Sequence, residues 1–165
     1  MKLKSSKTMV MANHHNLLEH LNSKLSLEFS KGHVNLTTLR NLVSSPRLIS
    51  ISARAFSHPA LFPGGDTYLD SKTMLAAPAQ GTFVLPISEF EKIQSTLEIV
   101  NEYHFTDTSA IQIQAWPFDA RTLNEFQLTI AVALSYTPAE LAADSRISLA
   151  IDEAVSKWGF FTDDF

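Results

Sequence analysis

The chain has 165 residues, of which 45% are hydrophobic and 18% are charged, and it has no cysteine. This length and composition are typical of one globular domain rather than of a disordered protein. The lack of cysteine excludes thiol catalysis, disulfides, iron–sulfur clusters and cysteine-based zinc sites. No apolar run reaches the roughly 18 residues of a membrane-spanning helix. We therefore expect no membrane partner and a location in the cytoplasm or in an assembled virus-like particle.

The net charge of −4 conceals an uneven distribution along the chain. Residues 1–87 hold nine Lys or Arg and four acids, whereas residues 88–165 hold four Lys or Arg and thirteen acids. Halves of opposite charge can pair inside one fold, attract another copy head to tail, or present an acidic surface to a basic protein partner. Internal pairing is the simplest expectation, because surface charge alone contributes little to partner choice.

The first part of the chain predicts a flexible basic arm over 1–12 and then a helix over 13–30. Asn13 is its expected N-cap and Gly32 its stop. Its apolar face consists of Leu17, Leu18, Leu21, Leu25 and Phe29.

A shorter second helix is predicted from Asn35 to the residues before Pro46. Two helices joined in this way could form a helix-turn-helix. The second helix offers only Arg40 to a phosphate backbone, so we expect no nucleic-acid partner.

A strand is predicted over 47–56, because apolar and polar residues alternate there. Residues 57–80 lack a clear period, and the Pro63-Gly64-Gly65-Asp66 run is a strong turn signal. So long an irregular loop is typical of a functional segment or of an arm that reaches a neighbour. The candidate contact residues in this loop are Leu61, Phe62, Asp66, Tyr68, Leu69 and Met74.

After a short predicted strand over 82–85, the Ser88-Glu89-Phe90-Glu91 run matches a capping box. Apolar residues at helical spacing extend the predicted helix to about Tyr103.

The C-terminal third, 110–158, predicts the core of the fold. One strand is expected around Ile113, and the clearest alternation of the chain predicts a second strand over 126–136. A longish hairpin loop over 117–125 would join them. The Thr137-Pro138-Ala139-Glu140 run is a capping box that opens the last helix, with Tyr136 and Leu141 as a hydrophobic staple and Gly159 as the stop.

Residue patterns that could carry chemistry are incomplete. His15 and Glu19 have i, i+4 spacing, but a metal site needs a third ligand on that face. His104-Phe105-Thr106 resembles the H-x-T element of the two-histidine phosphoesterases, which use a pair of such elements, and this chain has one. Asp66 and Asp70 could position a cation or water, although turn-forming aspartates are the commoner case. We therefore expect no metal and no cofactor. An enzyme that acts through His104 and the aspartates of the loop is the third hypothesis for the function.

The last residues are aromatic and acidic and end on Phe. This end resembles the acidic tip with which some single-stranded DNA-binding proteins recruit partners. The DNA-binding surface of such proteins would need basic residues interleaved with aromatics. A docked apolar C-terminal peptide is the simpler reading. The candidate contact residues of this 160–165 tail are Phe160, Phe161 and Phe165.

These patterns together predict one α+β domain over 13–159. We expect a mainly antiparallel sheet of four to five strands, covered on one face by two or more helices that begin near Ser88 and Thr137, with a long irregular loop. The layout is similar to that of ring and connector proteins such as phage tail terminators or neck proteins. The leading hypothesis is a homo-oligomeric structural or assembly protein. The alternative is a cytoplasmic binding or inhibitor module for a basic protein.

Overall fold

The structure is a computed structural model that describes residues 36–78, 80–100 and 109–156. These residues form an α+β fold in which one four-stranded sheet is surrounded by helices. The strands are β1 (Ile49–Arg54), β2 (Phe62–Pro63), β3 (Thr82–Pro86) and β4 (Ala110–Trp116). The helices are α1 (Leu36–Leu42), α2 (Gly65–Lys72), α3 (Ile87–Ile93), α4 (Glu125–Ser135), α5 (Pro138–Ala143) and α6 (Ser145–Ser156). The predicted arm, the 13–30 helix and the C-terminal tail lie outside the described residues.

The sheet is mixed, with the strand order β1-β4-β3-β2. β1 runs antiparallel to β4, with Ile51 opposite Ile113, and β2 runs antiparallel to β3. β3 and β4 are parallel, with Val84 opposite Gln114. The α+β prediction is confirmed, but the expectation of a mainly antiparallel sheet of four to five strands is corrected to a mixed sheet of four. The reason is that α3 lies between β3 and β4, and a strand–helix–strand crossover is the usual way to join parallel strands.

Helices cover both faces of the sheet, not one face as expected. Successive side chains of a strand point to opposite faces, so Val84 and Leu85 belong to different cores. Val84 and Trp116 pack with α4 and α6 in the larger core. Leu85 and Ile113 pack with the apolar side of α3 in the smaller core.

The predicted strand over 126–136 is wrong, because Glu125–Ser135 is the helix α4. Its N-terminus has a capping box. The Gln127 backbone amide donates to the Asn124 side-chain oxygen (2.8 Å), and the Asn124 backbone amide donates to the Gln127 side-chain oxygen (3.0 Å). All residues from Leu128 to Ser135 are buried. A helix that is buried on every side has no polar face, so the apolar residues in its sequence do not recur with the 3.6-residue helical period.

Two further expectations about helices need correction. The capping box at Ser88 is not formed, since α3 begins at Ile87 directly after Pro86, without a side-chain cap. α3 ends at Ile93 and continues only as a 3-10 turn to Thr96, because the chain then extends along β1. There the Arg54 amide donates to the Glu98 carbonyl (2.9 Å), and Ile99 forms a bridge with Ala53.

The predicted loop over 57–80 contains β2 and the eight-residue helix α2. α2 has few apolar residues and buries Tyr68 and Leu69, so it shows no apolar stripe in the sequence. Gly65 starts the helix with a φ of +46°, a conformation that favours glycine. The turn signal at Gly64 and Gly65 is therefore the junction between β2 and α2.

Other predictions are confirmed. β1, β3 and β4 lie at the expected positions, and the helix α1 ends before Pro46. The Thr137 capping box is formed, since Thr137 accepts from the Glu140 amide (3.1 Å) and Glu140 accepts from the Thr137 amide (2.8 Å). The final helix is divided at Asp144 into α5 and α6.

Candidate functional site

An apolar groove of about 370 Å³ lies between the end of α2 and the outer side of α6. It is lined by Met74, Leu75, Ala76, Arg146, Leu149, Ala150 and Glu153. Met74 is 90% exposed and Leu149 is 68% exposed. Large apolar side chains exposed next to each other are typical of an interaction surface. We call this surface the Met74–Leu149 groove.

Charged groups frame the groove on both sides. Glu153 accepts a hydrogen bond from the Met74 backbone amide (3.3 Å), which fixes the chain after α2 against α6. At the other end, Arg146 forms an ion pair with Asp144 (2.9 Å). The Asp144 carboxylate also accepts from the Arg146 backbone amide at the start of α6 (3.0 Å), and the Arg146 guanidinium lowers the pKa of Asp144.

A polar contact at the first turn of α2 joins this helix to the end of α4. The Tyr136 hydroxyl, just after α4, donates to the Asp66 carboxylate in the first turn of α2. Burial raises the pKa of Tyr136 well above its usual value, and the bond to Asp66 adds to the shift. Asp66 is thereby bonded to a structural tyrosine, which favours a role in joining α2 to α4 over a role in holding a cation.

Arg40 connects α1 to the C-terminal end of α4. Its guanidinium donates to the carbonyls of Tyr136 (2.6 Å) and Ala133 (3.0 Å). The last carbonyls of a helix have no partner inside the helix and carry partial negative charge, so a cation there is favourable. Burial lowers the pKa of Arg40, although an arginine stays charged at any physiological pH. Arg40 therefore acts as a cap for the C-terminal end of α4.

His58 is the histidine within the described residues, and both of its ring nitrogens face partners. Nδ1 accepts from the buried Ala60 backbone amide (3.0 Å), and Nε2 lies 3.6 Å from the Glu89 carboxylate. The adjacent Pro59 carbonyl accepts from Arg121 (3.0 Å). A catalytic base needs a ring nitrogen that can reach a substrate. These contacts instead stabilise the turn after β1. His104 lies outside the described residues.

A buried hydroxyl pair lies under α2. The Tyr68 hydroxyl is 2.5 Å from the Thr129 hydroxyl, and Thr129 donates to the Glu125 carbonyl one turn earlier in α4 (2.8 Å). A hydroxyl has one proton to donate, so Tyr68 is the donor to Thr129. Burial raises the pKa of Tyr68. This pair ties α2 to the middle of α4.

Basic groups of the first half of the chain pair with acids of the second half. Three such ion pairs are Arg47–Glu140 (3.1 Å), Arg54–Glu98 (3.1 Å) and Lys72–Glu125 (3.7 Å). The charge asymmetry is thus used, at least in part, inside the fold. Each exposed pair contributes little to stability, roughly 0 to 1 kcal/mol.

The candidate contact residues named from the sequence do not form one surface. Tyr68 and Leu69 are packed in the larger core, and Leu61 and Phe62 are half-buried beside different cores. Met74 alone among those described is largely exposed. Phe160, Phe161 and Phe165 lie outside the described residues. A role for any of these residues in contacts with a partner stays a prediction.

The sequence contained a signal for the groove that the sequence-based interpretation missed. The buried face of α6 consists of Ile147, Ala150, Ile151, Ala154 and Val155. Leu149 lies two residues after Ile147, on the other side of the helix. A single exposed apolar residue is common on protein surfaces, but Leu149 shares a groove with the exposed Met74, and the two together make a candidate contact surface.

The described residues contain no group of three or more His, Asp or Glu placed to hold a metal ion. Over the same residues, no helix is both long enough and apolar enough to cross a bilayer. Comparison with protein-family models, with curated proteins and with solved structures finds no match.

Proposed function

We propose that this protein is a non-enzymatic structural or assembly protein that acts as a homo-oligomer in a larger particle, such as a phage tail terminator, neck or connector. Its location would be the cytoplasm or the assembled particle, and its partners would be copies of itself or another protein of the particle. The observation that carries this proposal is the Met74–Leu149 groove, whose lining includes two large exposed apolar side chains.

The polar groups of the described residues support the same proposal. Asp66 and Tyr136 bond to each other, Arg40 caps α4, and His58 holds a turn. An active site generally leaves a nucleophile, acid or base facing an open cavity where a substrate can bind. In the described parts of the chain these side chains are instead used to join helices.

The alternative is a binding or inhibitor module that presents an acidic surface to a basic protein. The ion pairs Arg47–Glu140 and Arg54–Glu98 weaken this alternative, because they neutralise acids of the second half within the same chain. If the alternative held, binding of the basic partner would weaken steeply with added salt.

Size-exclusion chromatography with light scattering tests the proposal on the full chain. We expect a defined mass that is a multiple of 18.3 kDa and that persists on dilution. A clean monomer at high protein concentration would contradict the proposal. Repeating the measurement in high salt separates an apolar contact between copies, which salt does not weaken, from a charge-driven one.

A further inference from the structure

On the outer side of α6, two residues of opposite charge lie at similar distances on either side of an exposed apolar residue. Arg146, Leu149 and Glu153 line the same groove and lie at positions i, i+3 and i+7, which share one side of a helix. Leu149 is at the middle, with a cation toward the N-terminus and an anion toward the C-terminus. The separation of the two charged residues along the axis is about 10 Å.

We infer that this side of α6 is a two-fold interface with a second copy of the chain, in which the two α6 helices pack antiparallel. A two-fold axis requires that residue i of one copy contact residue j of the other, and that j contact i in return. With the axis beside Leu149, the two leucines meet at the centre. Arg146 of each copy then lies opposite Glu153 of the other copy.

The sign of the charges selects this orientation. A parallel pairing would place Arg146 against Arg146 and Glu153 against Glu153, and like charges in contact oppose association. The antiparallel pairing brings Arg146 of each copy to Glu153 of the other copy. The Arg146 guanidinium already binds Asp144 of its own chain through Nε and through Nη2 (2.9 Å), and its remaining N–H groups can donate to that second carboxylate. Charge complementarity therefore favours a second copy as the occupant of this surface.

Met74 extends the apolar centre of the interface. It lies across the groove from Leu149, and its backbone amide is bonded to Glu153, so its position is coupled to α6. Methionine adapts its shape to an irregular partner surface more easily than a branched side chain does. The Glu153 carboxylate can accept further hydrogen bonds besides that from Met74, so a guanidinium of the second copy can bind it.

This inference rests on the proposed homo-oligomer and names one of its contacts. A closed two-fold contact makes a dimer, or joins two rings face to face. It differs from the head-to-tail contact suggested by the charge asymmetry of the chain, because both copies use the same surface.

Charge exchange on the full chain tests the inference. We expect Arg146→Glu and Glu153→Arg, each alone, to raise the dissociation constant about tenfold or more, since each places like charges opposite each other. The double variant should restore association, because the ion pairs form again with reversed sign. Restoration by the second change is specific to a contact between these two positions.

An apolar pair of variants provides the matched control. Leu149→Gln should weaken association, whereas Ile99→Gln should not, since Ile99 is similarly exposed (61%) but lies beside β1 and not on α6. Glutamine is a good helix former, so the change at Leu149 keeps the helix propensity of the position. Circular dichroism and thermal unfolding of each variant check that the fold is retained.

The outcomes distinguish this inference from the proposed function. A wild-type chain that is monomeric at every concentration contradicts both. A wild-type oligomer that Leu149→Gln leaves unchanged overturns the α6 interface and leaves the proposed function standing. If Leu149→Gln weakens association but the double charge variant does not restore it, the antiparallel two-fold arrangement is wrong.

Discussion

The Tyr136 phenol should make the stability of the protein fall in alkaline solution. Its pKa is raised in the folded state, first by burial and then by its bond to Asp66, whereas in the unfolded chain it returns to about 10. A raised folded pKa contributes stability that is present below the unfolded pKa and is lost as the pH rises above it. With the folded phenol still neutral, this loss is about 1.4 kcal/mol in the free energy of unfolding at pH 11.

The Tyr136→Phe variant isolates this contribution. At neutral pH it should be less stable than the wild type by about 1 to 2 kcal/mol, because the half-buried Asp66 loses a hydrogen-bond donor. By pH 11 the difference between the two proteins should shrink by about 1.4 kcal/mol, since the variant has no phenol to ionise at this position. Lysines and the other tyrosines titrate in both proteins and cancel in the difference.

Urea unfolding followed by circular dichroism measures this difference at a series of pH values. Thr129→Val is the control, because it removes the acceptor of the buried Tyr68 hydroxyl without removing a titrating group. Thr129→Val should lower the free energy of unfolding. The size of this loss relative to the wild type should change less with pH than the loss caused by Tyr136→Phe. A Tyr136→Phe difference that stays constant up to pH 11 would refute the assignment of a buried, neutral phenol at Tyr136.

Three further substitutions test the contacts that hold α4 and α2 in place, each by urea or thermal unfolding. Arg40→Met should lower the free energy of unfolding by about 1.5 to 3 kcal/mol, because two carbonyls at the end of α4 lose a charged donor. Arg40→Lys should recover only part of this loss, since an ammonium group lacks the planar guanidinium that reaches both carbonyls. Asn124→Ala should cost about 1 kcal/mol by removing the cap of α4, whereas Asn124→Ser should be close to neutral; equal losses would contradict the capping box. Gly65→Ala should cost about 1 to 2 kcal/mol, because φ is +46° and the new Cβ would lie 3.0 Å from the Thr82 methyl group.

Three of the four strands, β1, β3 and β4, could be predicted from their local patterns, whereas β2 has only two residues and lies within the segment interpreted as a loop. In β1 the apolar residues alternate with serines, and one side faces the smaller core while the other is more exposed. The capping box at Thr137 was predictable for a similar reason, since it depends on four adjacent residues and not on the rest of the fold. The same four-residue pattern at Ser88 failed, because α3 already begins at Ile87 after Pro86, so such a signal holds only where the surrounding fold agrees with it.

α4 could not be recognised by its period, because every side of the helix is buried. Its large residues alternate with small ones such as Ala131 and Ala133, which imitates the two-residue period of a strand. In the helix, the small residues let the neighbouring elements approach closely. The Asn124 to Gln127 spacing fits a capping box and is a local signal for the start of this helix, but the sequence-based prediction did not include it.

The candidate site was predictable only in part. Met74 was singled out from the sequence and is exposed, but its neighbour Leu149 was hidden among the apolar residues of the final helix. The two residues are brought together by the packing of α2 against α6, which depends on the fold as a whole. A surface formed from two distant segments has no signature in either segment alone.

The position of α4 explains how the fold presents that surface. α1 is bonded to the C-terminal end of α4 through Arg40. α2 is bonded to Tyr136 just after α4 through Asp66 and to the middle of α4 through Tyr68, so both helices are attached by polar bonds to one buried helix. α6 packs on the same core with its inner face. The position of α6 is thus fixed by the contacts of its inner face and does not depend on what Leu149 contacts. A substitution at Leu149 should therefore change association between copies without changing the free energy of unfolding of the single chain by more than about 0.5 kcal/mol.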